Sequence, residues 1–311
     1  MNENHVVDRH LEIAHAQARA GNRHGAIESL RQALSIDPHH ADAHAELALL
    51  LVGAKRLHAA GVEAERALAS EPEGVLPALA AGHVALLRNR YREAEEHFLR
   101  LRALAPELPA GLLGIARLRE QQGKRDLAEA ALRDARKLDP EDTEVLCDLG
   151  ELLETKGQLR EAEKLARQAL AIDPEDVDAL VLLGRVHLHA GRVDDAKEHA
   201  RWVLSMDAEH AGGLQLLCAC QARRSPVLGL WWRFVTWMGT QGSTKGIFIL
   251  LGAFVVYQVS TVVLQGTGHS GAAQVVNLLW LGIVVYTWVA PAGFERMLRK
   301  ELAPVRLRDD F

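Results

Sequence analysis

Histidine is the residue type with the clearest capacity for chemistry in this chain, which has 15 histidines among 311 residues. The densest group is His39-His40-Ala-Asp-Ala-His44. On a helix, His40 and His44 would lie one turn apart, a spacing at which two imidazoles can ligate one zinc ion, and Asp42 is nearby. No motif fixes a third ligand, because neither His-Glu-x-x-His nor Cys-x-x-Cys occurs. Two interpretations therefore stay open: metal ligands, or histidines that fill packing and surface positions.

Motifs for catalysis or cofactor binding are not evident elsewhere in the sequence. The chain has no GxxxxGK[ST] phosphate-binding loop, no GxGxxG pattern that follows a strand, and no GxSxG nucleophile elbow. Cys218 and Cys220 are two positions apart, which places their thiols on different sides of a helix. Together with Cys147 they are too few for a disulfide scaffold, which favours a reducing compartment. We therefore expect a protein that is not an enzyme, with no catalytic residue, no cofactor and no metal site that the sequence can assign.

The charge of the chain is divided unevenly along its length. Residues 211–311 contain nine Lys or Arg and four Asp or Glu, a net charge of +5, and the whole chain has −5, so residues 1–210 have −10. An acidic surface argues against nonspecific nucleic-acid binding, which needs basic groups to replace the counterions of the phosphates. We therefore expect no nucleic-acid partner.

A period of 34 residues organises the first two thirds of the chain. Prolines recur at this interval at Pro38, Pro72, Pro106, Pro140 and Pro174. The same interval divides residues 7–210 into six copies: 7–40, 41–74, 75–108, 109–142, 143–176 and 177–210. The twentieth position of every copy is alanine and the eighth is alanine or glycine, so the two helices of a copy can approach closely. A single helix pair cannot bury its own apolar side, and the copies must therefore stack into a solenoid.

This pattern resembles the tetratricopeptide repeat (TPR) family over residues 7–210. The resemblance implies an all-α fold, a right-handed superhelical solenoid of six repeats, and protein binding on its concave face. The fourth and eleventh positions of the copies lack the Trp and Tyr of the family consensus. Residues 211–224 follow as one more helix, which we expect to cap the apolar side of the last repeat.

The resemblance also implies that positions 2, 5, 9, 12 and 13 of each first helix line the concave groove. The residues that we expect to contact a partner protein or peptide are Leu49, Val52, Leu79, His83, Leu86, Leu113, Arg117, Glu120, Glu151, Glu154 and Arg185. The apolar members form a stripe suited to an amphipathic segment, or they complete the packing between repeats. The ladder Arg117, Glu151 and Arg185 either faces a partner, or its members pair with one another between adjacent helices.

The last third of the chain has a different character. Residues 226–240 are apolar apart from one polar stripe and contain three tryptophans, which suits a helix in the membrane interface; a soluble amphipathic helix packed on the cap is the alternative. Residues 246–264 and 272–290 are uncharged, and each would form a helix of about 28 Å, enough to cross the hydrocarbon core. The alternative is a buried soluble hairpin. Nine Lys and Arg residues flank the pair, several of them in the basic tail 295–311, and none lies in the turn between them. The positive-inside rule then places both ends in the cytoplasm.

These observations predict an integral membrane protein of the bacterial inner membrane, with cytoplasmic N- and C-termini and a two-span transmembrane hairpin. Residues 226–294 would contact the lipid bilayer, and the solenoid would recruit or organise a partner protein. The hairpin has no ionisable side chain, which disfavours a proton or ion pathway through it. The alternative function is an integral subunit of a membrane transport or secretion assembly in which the hairpin makes the main contacts. Homo-oligomerisation through the hairpin stays open.

Overall fold

The computed structural model describes residues 3–208, 210–224, 243–266, 271, 274–278, 280 and 281, and all regular structure within these ranges is α-helical. The chain divides into two compact units, Met1–Leu182 and Leu183–Phe311, which are described separately. The helices are α1 Glu3–Arg19, α2 Arg23–Ile36, α3 Ala41–Gly53, α4 Leu57–Ser70, α5 Val75–Leu87, α6 Tyr91–Leu104, α7 Ala110–Gln121, α8 Arg125–Leu138, α9 Thr143–Thr155, α10 Leu159–Ile172, α11 Val177–His189, α12 Val193–Met206, α13 Ala211–Arg224 and α14 Ser243–Gly266.

In the first unit, each odd-numbered helix packs against the even-numbered helix that follows it, from α1 with α2 to α9 with α10. The odd-numbered helices also contact one another, α3 with α5 and α5 with α7, and each even-numbered helix up to α8 contacts the next odd-numbered one. The alanine at the twentieth repeat position has no exposed surface in any copy: Ala26, Ala60, Ala94, Ala128, Ala162 and Ala196. A larger side chain at this position would overpack the contact between the paired helices.

One backbone conformation closes the first helix of every copy. At the fifteenth repeat position φ is positive for Gly21, Gly123, Gly157 and Gly191. The other two copies have Lys55 and Asn89 at this position, with φ of 58° and 59°. Because the left-handed conformation is strained for residues with a Cβ, these two copies keep the same turn at a higher conformational cost.

A phenylalanine fills the space that two glycines leave in the third and fourth copies. Phe98 in α6 is fully buried. A Cβ added at Gly82 in α5 would lie 2.5 Å from Phe98 Cε1, and one added at Gly114 in α7 would lie 2.3 Å from Phe98 Cδ1. The ring therefore lies against the backbone of both first helices, and each glycine is required for its close approach.

We name the first and second helices of each copy the A helix and the B helix. A second contact between copies depends on a glycine in a B helix. Arg88, at the end of α5, lies over Gly61 in α4, and its Nη2 donates to the carbonyl oxygen of Leu57 at 3.0 Å. A Cβ at Gly61 would lie 2.0 Å from this nitrogen. Lys156 makes the equivalent contact two copies later, donating to Glu129 Oε2 at 2.5 Å. These contacts join the last turn of an A helix, the first helix of its copy, to the B helix before it.

In the second unit, α12 packs against α13, which occupies the range predicted for the capping helix. Helix α14 covers residues 243–266 and contacts the helical residues 274–281 through Tyr257, which stacks on Trp280 with ring centroids 4.7 Å apart. Within the part of the chain that the structure describes, no helix is both long and apolar enough to cross a bilayer. The predicted span 246–264 is therefore not supported.

The remaining C-terminal predictions fall on residues that lie largely outside the described ranges. These are the interfacial helix 226–240, most of the second span 272–290, and the basic tail 295–311.

Candidate partner-binding face

The apolar part of the predicted groove is smaller than the sequence suggests. Leu49 and Val52 are half-buried and pack on the core around α3 and α4. Leu79 is also half-buried. Leu86 and Leu113 were expected to face a partner, but they are only 2% and 4% exposed. Leu86 belongs to a core cluster with Phe98 and Leu118, so packing between copies accounts for its burial.

His83 lies at the ninth position of the third copy, next to the buried phenylalanine. Its ring meets the Phe98 ring edge to face, with centroids 5.5 Å apart. The pKa of His83 is lowered to about 4, chiefly by burial and then by the positive charge of Arg117, against a smaller opposite effect of Glu144. The imidazole is therefore neutral at physiological pH, and it offers a partner hydrogen bonding and apolar contact but no charge.

Arg117 is paired differently from the predicted ladder. Its Nη2 lies 2.6 Å from Glu144 Oε1 and 2.9 Å from Asp148 Oδ2, and its Nε donates to Asp148 Oδ2 at 3.0 Å. Burial by itself would lower the pKa of Arg117, but the two carboxylates outweigh it and the pKa is raised. Glu144 and Asp148 therefore hold the guanidinium, whereas the sequence left open whether Arg117 faces a partner or pairs within the ladder.

Paired side chains in neighbouring copies are separated by fewer residues than the repeat period of 34, which explains the pairing of Arg117 with Asp148. Arg117 and Asp148 are 31 residues apart, and His15 Nε2 contacts Glu46 Oε1 at 2.6 Å over the same separation. A Cβ at Gly150 would lie 2.5 Å from Leu182 Cδ2, which is 32 residues along the chain. A side chain of one A helix therefore contacts the next A helix two or three residues before the equivalent repeat position. Such a shift is expected where neighbouring helices cross obliquely. The ladder of Arg117, Glu151 and Arg185 has intervals of 34 residues and does not take this offset into account.

A hollow of about 310 Å³ opens beside the Arg117 ion pairs. Its lining residues come from α7, α9 and the start of α11: Arg117, Thr143, Glu144, Cys147, Asp148, Glu151, Asp176 and Asp178. Five of these eight side chains are carboxylates and one is a guanidinium. The hollow is therefore a site of negative potential, in which a cation would be attracted more strongly than at an open surface.

Burial and neighbouring carboxylates raise the pKa of several groups in and beside the hollow. The pKa of Asp148 is raised to about 6, chiefly by burial, which outweighs the opposing effect of Arg117, and in smaller part by Glu144 and Glu151. Burial also raises the pKa of Glu120, with Glu151 adding to the effect. The Cys147 thiol contacts Asp176 Oδ1 at 3.9 Å, and burial followed by the surrounding carboxylates raises its pKa, so it stays a protonated thiol and a poor nucleophile.

Comparison with known families identifies the repeats. Two sequence models of the tetratricopeptide repeat match the chain, one at residues 17–83 and 153–216 and the other at 79–143 and 113–176. Together they cover residues 17–216, more than half of the chain. The chain belongs to the tetratricopeptide repeat family. A comparison with curated proteins gives no match.

Solved structures with low sequence identity share the TPR fold. A tetratricopeptide repeat protein from Parabacteroides merdae is 19% identical, over 69% of this chain and 84% of that one, with a TM-score of 0.58. Yeast Tom70 is 18% identical, over 70% of this chain and 47% of that one, with a TM-score of 0.55. Cut9–Hcn1, an APC/C hetero-tetramer, gives 18% identity, 69% and 44% coverage, and a TM-score of 0.53.

The TPR positions located some residues of the hollow and missed others. Glu151 lines it as expected from the ninth position, and Glu120 and Glu154 lie at the same end of neighbouring A helices, exposed and half-buried respectively. Arg185 belongs to the second unit. The second repeat position, which the family rule places in the groove, holds Glu144 and Asp178 in the last two copies. Asp148 and Asp176 occupy positions that the groove rule does not include, and only the packing of the A helices brings them in.

The histidine cluster of the first two TPR copies is used for protein contacts. His44 is buried, with Nδ1 at 2.6 Å from Glu63 Oε2 and Nε2 at 3.0 Å from the carbonyl oxygen of Pro38. His40 Nδ1 accepts from the backbone N–H of Ala43 at 3.2 Å and so caps the N-terminus of α3. Among the described residues, no three His, Cys, Asp or Glu side chains are grouped to hold a metal ion.

Proposed function

We propose that the chain is a noncatalytic scaffold that binds a segment of a partner protein in the hollow between α7, α9 and α11. TPR proteins generally mediate protein–protein interactions, and the related fold of Cut9 occurs in a hetero-tetramer with Hcn1. The observation that carries the proposal is the concave hollow of about 310 Å³, which is lined by five carboxylates and one guanidinium.

The charge of the hollow defines the chemistry of the bound segment. An incoming Lys or Arg side chain would be attracted by the five carboxylates that line the hollow. A charge-assisted hydrogen bond of this kind contributes on the order of 1.5–3 kcal/mol where water is excluded. The half-buried Leu49, Val52 and Leu79 extend the same series of A helices and offer apolar contact for the rest of the segment. The proposed partner is therefore a segment with a basic side chain next to apolar ones.

We further propose that the chain is attached to a membrane through its C-terminal part, with both termini cytoplasmic and the inner membrane of a bacterium as its location. The support comes from the sequence, in which residues 246–294 contain no Asp, Glu, Lys or Arg and nine basic residues flank them. The alternative function, an integral subunit of a transport or secretion assembly, shares this attachment but places the main contacts in the hairpin. Contact between two copies through the hairpin belongs with that alternative.

Site-specific photocrosslinking of the full-length protein in membranes tests the groove. The crosslinker replaces Thr143, which lines the hollow, or Leu99, an exposed residue of α6 that serves as the control. We expect one partner to crosslink strongly from position 143 and weakly from position 99. Equal yields from the two positions would contradict the proposed groove.

Two matched double variants then test the charge of the hollow. Glu144→Gln with Asp178→Asn removes two exposed carboxylates from its rim, and Asp134→Asn with Glu161→Gln removes two exposed carboxylates from the B helices. The first pair should abolish the crosslink from position 143 and the second should leave it unchanged. If every partner crosslinks through residues 243–281 and both variants keep it, the hairpin alternative is correct. Replacing the hairpin with an unrelated membrane anchor should preserve recruitment by a scaffold and disable an integral subunit.

A further inference from the structure

One side of α14 is apolar and exposed to solvent. Five valines have between 52% and 66% of their surface exposed: Val255, Val256, Val259, Val262 and Val263. Their spacing, at intervals of three, four, seven and eight, places them on one side of the helix. On a helix at the surface of a water-soluble domain, this side would carry polar side chains.

The opposite side of α14 holds the polar contacts. The hydroxyl of Tyr257 donates to Asn277 Oδ1 at 2.8 Å, and the Tyr257 ring stacks on Trp280 with an interplanar angle of 11°. Phe254 lies one turn earlier, with its ring centroid 6.1 Å from that of Trp280. Tyr257 therefore connects α14 to Asn277 and Trp280 on the side of the helix opposite the valines.

The hydroxyl groups that the structure describes in α14 are satisfied within the protein. Ser260 Oγ donates to the carbonyl oxygen of Val256 at 2.7 Å, and Thr261 Oγ1 donates to that of Gln258 at 2.9 Å. With the Tyr257 bond, every hydroxyl of residues 254–264 has a protein acceptor. Internally satisfied polar groups below an aliphatic surface are the condition for contact with hydrocarbon, where no water is available as a partner.

We propose that the valine stripe of α14 contacts the acyl chains of a lipid bilayer, while Tyr257, Asn277 and Trp280 hold α14 against residues 274–281. The proposal rests on the membrane attachment proposed above and assigns the lipid-facing and protein-facing sides of the helix. Exposed aliphatic side chains at Val275, Leu278 and Leu281 continue the apolar surface.

Charge favours lipid over a second copy of the chain as the occupant of this surface. The uncharged stretch 246–294 is followed by five basic residues between positions 296 and 308 and preceded by Lys245. These groups would be attracted to anionic headgroups at the edges of a bilayer. In a parallel dimer formed by the same stripe, the same groups would be brought next to their like-charged copies.

Fluorescence quenching in vesicles tests the orientation of α14. Full-length Val259→Cys is labelled with an environment-sensitive dye and mixed with vesicles of phosphatidylethanolamine and phosphatidylglycerol that contain doxyl-labelled lipid. Leu99→Cys is the matched control, because Leu99 is an exposed apolar residue of the solenoid, 48% exposed against 56% for Val259. The three native cysteines, all buried, are replaced by alanine in both proteins. We expect several-fold quenching at position 259 and none at position 99.

Flotation with the vesicles separates this inference from the proposed attachment. If the protein does not float with the vesicles, both the attachment and the orientation are wrong. If it floats but the dye at position 259 is not quenched, only the orientation is wrong. Protection of position 259 that increases with protein concentration, without quenching by lipid, would show that a second copy covers the stripe. Tyr257→Phe should leave flotation unchanged and, if Tyr257 holds the two segments together, increase several-fold the labelling of a cysteine that replaces the half-buried Val276.

Discussion

Arg117 Nη2 lies 2.9 Å from Asp148 Oδ2, so a guanidinium on one A helix is paired with a carboxylate 31 positions further along the chain. His15 and Glu46 repeat this relationship at the start of the solenoid, at 2.6 Å. The ninth position of one copy is thus the partner of the sixth position of the next. A partner segment that follows the groove therefore meets charged side chains, some of which are already paired with side chains of the adjacent copy.

Asp148 should make the stability of the protein depend on pH between about 4 and 6. Because burial raises the pKa of Asp148 in the folded state to about 6, above its unfolded value, the folded state holds the proton more tightly. The contribution is fully present below the unfolded pKa and is lost as the pH rises to about 6, a loss of about 2 kcal/mol after allowance for partial solvent screening. Urea unfolding of wild type and Asp148→Asn at pH 4.5 and pH 7 measures it. Identical changes in the two proteins would show that Asp148 does not cause the effect.

Gly114→Ala should destabilise the protein although alanine is the better helix former. The added Cβ would lie 2.3 Å from Phe98 Cδ1, and the ring is fully buried with no room to move. Overpacking of this kind costs about 1–3 kcal/mol, more than the gain in helix propensity. Thermal and urea unfolding measure the change. Gly53→Ala is the control, since its nearest contact would be an ordinary 3.6 Å, and Phe98→Leu should partly rescue Gly114→Ala.

Lys55→Gly should stabilise the second copy. Lys55 has a φ of 58°, in the left-handed region that glycine occupies at the same turn in four other copies. Removing the Cβ relieves a conformational cost of about 1 kcal/mol, part of which is offset by the greater freedom of glycine in the unfolded chain. The midpoint of urea unfolding measures the gain. In the reverse control, Gly157→Lys should lower the midpoint of urea unfolding. A change of the midpoint in the same direction for both substitutions would contradict the explanation.

His44→Leu should destabilise the first two copies without any involvement of metal. The substitution removes the contacts with Glu63 and with the carbonyl oxygen of Pro38, leaving both acceptors in a partly buried site. An unsatisfied buried polar group costs about 1–3 kcal/mol. His39→Leu, at an exposed position with no side-chain capping bond, should have a smaller effect. The thermal midpoint of wild type should not change with a chelator, whereas a decrease would restore the zinc interpretation.

Much of the fold follows from local features of the sequence. The prolines at intervals of 34, the invariant alanine and the glycine turns each act within one helix pair, where neighbouring residues decide the conformation. The candidate site follows less directly. Glu151 was found from its repeat position, but Leu86 and Leu113 were assigned to the groove and lie in the core, because burial depends on the sizes of neighbouring side chains as well as on position.

The sequence by itself determined the repeat, its helix pairs, the turns between them and the uncharged C-terminal stretch. Only the tertiary structure decided that Phe98 lies against Gly82 and Gly114, and that Arg117 pairs with Asp148. A period of 34 residues determines which positions are equivalent. The oblique crossing of adjacent helices, which depends on how side chains of particular sizes interlock, determines which positions touch.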